Sequence, residues 1–226
     1  WGAPYRWGTT MIAYRKDKFK RLGWTPTDWQ DLWRPELQRR ISLLDQPREV
    51  IGLTLKKLGY SYNSDNLLAI ANLKPELQAL HQQVKLYSSN AYLQPLLLGD
   101  TWLAVGWSTD ILPTLRQNNL IGAVIPQSGT ALWADVWVQP ATVAKAPSPA
   151  FLNQWIDLWW QPSFTSQLLR LNKGGFPILP EAELSKASRT LLFPDKGSLS
   201  HSEFLKPLAA STIDQYRTLW LEIRRA

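Results

Sequence analysis

Short apolar runs alternate along the chain with segments that carry helix-capping signals. Met11 to Arg15, Ile41 to Leu44, Trp102 to Trp107, Ile121 to Ile125 and Leu132 to Val138 read as strands. The alternation predicts a mixed α/β protein with at least partly parallel sheets. Helix signals lie between the runs. Thr27 with Gln30 three residues on forms a capping box before Asp28 to Trp33, and Asp45 is placed to cap a helix that ends at Gly59. In that helix Ile51, Leu55 and Leu58 make a stripe at i, i+4 and i+7. Ser148 followed by Pro149 opens a helix with Phe151, Trp155, Leu158 and Trp159 on one face, and both tryptophans are expected in the core. A last helix, about Ala209 to Arg225, aligns Ile213, Tyr216, Trp220 and Ile223, and its Arg224 and Arg225 suit the negative end of the helix dipole.

Composition narrows the function classes. In 226 residues, 45% hydrophobic and 19% charged, there is no cysteine, which removes disulfides, thiolate catalysis and thiolate-bound metal. No uninterrupted apolar run is long enough to span a bilayer. Twenty-five Lys and Arg against 18 Asp and Glu give a net charge of +7, which invites an anionic partner without specifying a site. Arg15, Lys16, Lys18, Lys20 and Arg21, with Phe19, Trp24 and Trp29 nearby, compose a basic-aromatic cluster. In the absence of any nucleic-acid motif it reads as a solvated strand-to-helix connection. The chain lacks a G-x-S-x-G elbow, a phosphate loop and a G-x-G-x-x-G turn. His81 and His201 have no ligand spacing, and His81 reads as a solvent-facing helix residue. Neither an enzyme, a metal site nor a cofactor is expected.

The chemistry that remains is aromatic and acidic. Thirteen Trp equal the seven Tyr and six Phe together. In Leu132 to Val138, Trp133 and Asp135 lie two apart and share a strand face, an indole beside a carboxylate. Such a pair suits an organic cation: the ring face contributes about 0.5 to 2 kcal/mol and the carboxylate a charge-assisted hydrogen bond. Trp107 ends another strand, and Glu49 lies in the first turn of the helix that follows Ile41 to Leu44. Both positions face the ligand crevice of an open α/β sheet. Equally, the tryptophans are core and the carboxylates serve dipoles or salt bridges.

At these residues the sequence resembles the periplasmic polyamine-binding proteins, the spermidine/putrescine-binding subunits of ABC importers. The resemblance runs in order through Pro4-Tyr5-Arg6-Trp7-Gly8-Thr9-Thr10, Thr27-Asp28-Trp29-Gln30-Asp31-Leu32-Trp33, Leu44-Asp45-Gln46-Pro47-Arg48-Glu49-Val50 and Leu58-Gly59-Tyr60-Ser61. It continues through Gly106-Trp107-Ser108, Ile125-Pro126, Gly129-Thr130-Ala131-Leu132-Trp133-Ala134-Asp135 and Gly175-Phe176-Pro177. It implies a two-lobed α/β solute-binding-protein fold that closes over a linear amine, with no bond made or broken. Trp107 and Trp133 would be aromatic walls, and Asp135 and Glu49 would bind ammonium groups. The resemblance also implies departures, since Gln46 stands where an aspartate is usual, Phe176 where a tyrosine is usual, and Phe204 where a glutamine is expected. Losing one carboxylate removes about 1.5 to 3 kcal/mol of charged hydrogen bonding and points to a shorter diamine, a monoamine or another apolar cation.

The implied division is a C-terminal lobe of residues 9–132 and 178–226, with residues 1–8 and 133–177 forming a crossing strand and part of the N-terminal lobe. Opening at Trp1 without an initiator Met, the chain is expected to lack a signal peptide and on the order of a hundred residues of that lobe. The implied partners are a small organic amine and an ABC permease, the place is the periplasm, and the state is monomeric without nucleic acid. Two other readings stand beside it: the same fold binding a non-amine solute, and a basic interaction module derived from one lobe.

Overall fold

The computed structural model describes residues 2–140, 149–165, 167, 191 and 196–225. Its organising element is β1, Gly2–Arg15, a single strand of 14 residues. From Gly2 to Thr9 it pairs antiparallel with β6, Ala131–Val138, and from Thr10 onward with β4, Leu103–Trp107, and β5, Ile121–Val124. β2, Ile41–Leu43, lies parallel to both β4 and β3, Val84–Tyr87, while the two-residue β7, Glu203–Phe204, lies parallel to β6. The sheet order is therefore β3-β2-β4-β1-β6-β7, with β5 also on β1. The expected mixed α/β class, with part of the sheet parallel, is what forms.

Strand alternation explains the second half of β1. Ile12 faces a core with residues of α2, Pro47–Lys57, and α3, Leu73–Gln83, whereas Met11 and Ala13 face another built with Leu96 of α4, Gln94–Leu98, and Ile111 of α5, Ser108–Gln117. Both faces are covered, so the segment is continuously apolar and legible as a strand. The C-terminal helix packs on the first of these cores. β6 is introduced by Gly129 at φ +91, where a side chain would be both strained and within 2.0 Å of the His201 carbonyl oxygen. Trp29, fully buried, donates from Nε1 to the Gly129 carbonyl at 2.8 Å and fixes the same turn.

Several local expectations shift. The turn at Trp29–Trp33 is a 3-10 helix capped by Asp28 and Asp31, not by Thr27 and Gln30: Asp28 accepts from Trp29 N at 2.8 Å, and Asp31 accepts from Asp28 N at 3.1 Å. In α2 the cap is Gln46 instead of Asp45, because Pro47 with its fixed φ starts the helix there, and no side chain bonds the cap. Gly59 does take the left-handed conformation, at φ +81.

Trp155 is not core. On α6, Pro149–Trp160, it is 42% exposed and meets Trp137 and the half-buried Trp159 edge-on; amphipathic spacing marks one face of a helix but not what covers it. The last helix runs Ala210–Arg225 and is labelled α7; Tyr216 and Ile223 are buried but Ile213 is exposed, because the buried stripe begins at Thr212. Arg224 stacks on Tyr87, its Cζ 4.3 Å from the ring centroid.

His81 is half-buried rather than solvent-facing, stacked on Tyr87 at 15° and bonded through Nδ1 to the Tyr87 hydroxyl at 3.1 Å. The basic connection is the short helix α1, Lys16–Leu22, largely solvated as expected. Arg15 is its exception, buried and forked onto Asp17 and the Leu96 and Leu97 carbonyls. Among the described residues no helix is long and apolar enough to cross a membrane, and no group of three or more His, Asp or Glu is placed to hold a metal ion.

Candidate functional site

Glu49 occupies the first turn of α2 and is only 5% exposed. Thr10 Oγ1 donates to its Oε2 at 3.0 Å, and Trp107 Nε1 to its Oε1 at 3.2 Å. Burial pushes the carboxyl pKa up; the bonds from Trp107 and Thr10 and the charge of Arg48 oppose this without cancelling it. Arg48 itself turns aside, onto Asn63 Oδ1 at 2.8 Å and the Tyr216 hydroxyl at 3.2 Å. Among the described residues, no ion pair reaches Glu49.

Trp107 ends β4 directly opposite Thr10. Its backbone N–H donates to the Tyr92 hydroxyl at 3.1 Å, which donates in turn to Asp110 Oδ2 at 2.8 Å, and the Tyr92 and Trp107 rings meet edge to face. Burial, reinforced by Asp110, holds the Tyr92 phenol far above its ordinary range, so it stays a donor.

Trp133 lies opposite Gly8 in the β1–β6 ladder. A Cβ on Gly8 would stand 2.3 Å from Trp133 Cζ2 and 2.5 Å from Ser108 Oγ, so only glycine leaves room for the indole against β1 beside the start of α5. Trp133 Nε1 is buried without a hydrogen-bond acceptor among the described residues. Two residues further along β6, Asp135 faces Arg6, which donates from Nε to Oδ2 at 2.6 Å in a half-exposed pair. Trp133 and Asp135 thus share a face, as the period-two pattern requires.

The ladders align these groups along one face of β1: Arg6 with Asp135, Gly8 with Trp133, Thr10 with Trp107 and, beneath the last pair, Glu49. Arg6 to Thr10 spans about 13 Å at the usual strand rise. The result is a strip with a carboxylate near each end and two indoles between, a shape suited to a slender cation with an apolar body. Of the residues proposed from sequence, Glu49 and Trp107 touch, Trp133 lies over Gly8 along the same strip, and Asp135 is engaged by Arg6. Gln46 is exposed at the α2 cap, and Phe204, 55% exposed in β7, pairs with Leu132. Phe176 lies outside the described residues.

Sequence reasoning did not find Arg6, Gly8 and Thr10. Their spacing of two along β1 was the available signal. A groove of about 500 Å³ between α3 and α7, lined by Leu67, Ile70 and Leu219, is separate from the strip.

Comparison with known proteins adds three likenesses. The chain is 27% identical over 235 residues to the putrescine/cadaverine-binding protein of Pseudomonas aeruginosa, covering 98% of this chain and 65% of that protein. It is 27% identical over 212 residues to the spermidine/putrescine-binding periplasmic protein of Escherichia coli, covering 92% of this chain and 60% of the relative. The crystal structure of the spermidine/putrescine ABC transporter substrate-binding protein PotD from Streptococcus pneumoniae superposes with a TM-score of 0.84 at 27% identity, covering 99% of this chain and 68% of that one. The chain therefore spans about three fifths of the length of the curated relatives it matches. A family model for bacterial extracellular solute-binding proteins matches residues 1–197, and the chain belongs to that family.

Proposed function

We propose that the protein is the extracytoplasmic substrate-binding component of an ABC importer that captures a polyamine or a related small organic amine. The observation that carries this reading is Glu49: a buried carboxylate held by two neutral donors, with an indole in its own hydrogen-bond shell and no ion-pair partner among the described residues. A group so placed is completed by an ammonium, whose charged hydrogen bond contributes about 1.5 to 3 kcal/mol, while Trp107 and Trp133 flank the aliphatic chain. The relatives named for putrescine, cadaverine and spermidine support the ligand class, and the periplasmic naming of the Escherichia coli relative supports the location. In this reading Trp107, Trp133, Asp135, Glu49, Gln46 and Phe176 are the ligand-binding set.

Capture proceeds by closure of two lobes about their crossing strands, and the closed form docks on a membrane permease. The change of partner along β1, from β6 before Thr9 to β4 and β5 after Thr10, supports a lobe boundary there, with residues 9–132 and 178–226 on one side and 1–8 and 133–177 on the other. Arg15, Arg48 and Lys56 are engaged internally, by Asp17, Asn63 and Glu203.

Calorimetry of the whole protein against putrescine, spermidine and butylamine tests the reading. Heat with at least one amine, reduced tenfold or more by Glu49→Gln, is the expected result. No heat with any amine overturns it and leaves a neutral solute for the same cleft.

A further inference from the structure

We propose that Arg6 is a specificity-determining residue: it competes with ligand for Asp135 at one end of the strip, leaving Glu49 as the strip's carboxylate without an ion-pair partner among the described residues and favouring an amine with a single ammonium on an apolar body over a diamine. This rests on the amine-binding reading above. Asp135 is not idle. Arg6 Nε reaches its Oδ2 at 2.6 Å, directly across the β1–β6 ladder, and the guanidinium also meets the Tyr5 ring, whose centroid is 5.5 Å from Arg6 Cζ.

A ligand cation that sought Asp135 would have to break this pair and then sit beside a guanidinium of like charge. Exposed ion pairs are individually weak, but this competitor is tethered on the facing residue, so its effective concentration is millimolar or higher at any ligand level. Along the strip, Glu49 and Asp135 are negative and Arg6 positive, so one ligand charge balances them. The aromatic length between the ends is kept by Trp133 over Gly8 and Trp107 over Glu49, which is what an apolar body requires.

The test measures putrescine and butylamine affinities by calorimetry for the whole wild-type protein, for Arg6→Gln and for the double variant Arg6→Gln with Asp135→Asn. Freeing Asp135 is expected to raise the putrescine-to-butylamine affinity ratio about fivefold, the factor set by an exposed ion pair that no longer has to be broken. The double variant is expected to lose that gain. A wild-type protein that binds neither amine while Arg6→Gln binds putrescine overturns the preference for a single ammonium. An unchanged ratio in a single variant that still binds amine overturns the role of Arg6 but keeps amine binding. Silence of all three proteins toward both amines overturns the two together.

Discussion

Trp107 Nε1 donates to Glu49 Oε1 at 3.2 Å, so the indole and the carboxylate are held together. The bond ties the end of β4 to the start of α2, two junctions that meet only because β2 and β4 lie side by side. It also orients the indole plane by its edge, and the backbone N–H of the same residue is fixed by Tyr92. In the proposed site a ligand would meet a ring that does not have to be ordered on binding, which lowers the entropic cost of recognition.

Replacing Glu49 separates stability from binding. Its pKa is raised by burial, so the folded chain holds the proton more tightly than the unfolded chain, and the ionised form costs stability once the pH passes above the ordinary glutamate value of 4.5. Glu49→Gln is expected to unfold at higher denaturant than wild type at pH 7 and to lose this advantage as the pH falls to 4.5 and below. Amine affinity falls at least tenfold in the same variant. Denaturant titrations at several pH values, paired with calorimetry at pH 7, check both halves.

Gly8 is held to glycine by contact. Gly8→Ala places a methyl 2.3 Å from Trp133 Cζ2 and 2.5 Å from Ser108 Oγ, so the indole must lift from β1 or the strand must shift. The expected cost is about 1 to 3 kcal/mol of stability, with amine affinity falling further than stability alone explains. Urea unfolding and calorimetry on one preparation distinguish the two effects. Equal affinity in the variant would remove Trp133 from the site.

What was legible follows what repeats locally. The second half of β1, β2, β4 and β5 announced themselves as apolar runs because helices cover both faces of the sheet. Trp107, Trp133 and Glu49 stood out as unusual residues at strand ends and in a helix first turn. Arg6 and Gly8 did not, since the first half of β1 is partly exposed and its register shifts between Pro4 and Arg6, and its partner strand lies more than a hundred residues away; Thr10 did not, since its bond to Glu49 is a tertiary contact no local pattern contains. β7 has two residues and no period to read. It is fixed by Glu203, which takes Lys56, Ser61 and the Tyr62 N–H, a tertiary bond set no local pattern contains. Trp155 shows the converse, a helix face correctly drawn and wrongly covered.

His81 provides a spectroscopic check away from the site. Burial against Tyr87, with Arg224 and Arg39 nearby, lowers its pKa below the ordinary histidine value of 6.5. The folded chain therefore resists protonation, and this group's contribution to stability is present above pH 6.5 and lost as the pH falls. With only two histidines in the chain, the imidazole proton resonances are readily assigned. The His81 midpoint is expected below 6.5 and to rise in Arg224→Gln. A midpoint at or above 6.5 in the wild type would contradict the stacked, half-buried ring.

Thr10 tests whether the Glu49 carboxylate is held for a cation. Its hydroxyl is the donor to Oε2, at 3.0 Å, and Trp107 is the donor to the other oxygen. Thr10→Val keeps the shape and removes the donor, leaving one oxygen of a buried carboxylate unpaired, at a cost of about 1 to 3 kcal/mol when it is ionised. The cost is smaller below pH 4.5, where the carboxyl is protonated in both states, so the destabilisation should grow as the pH rises. An ammonium ligand supplies the missing donor, so bound amine should recover part of the lost stability. Thermal unfolding of Thr10→Val and Thr10→Ser, with and without putrescine, measures this, and the serine variant is expected to match wild type within about 1 kcal/mol because it restores the hydroxyl. If putrescine stabilised wild type and left Thr10→Val unprotected, the hydroxyl would be part of the ligand shell itself and not a brace for Glu49.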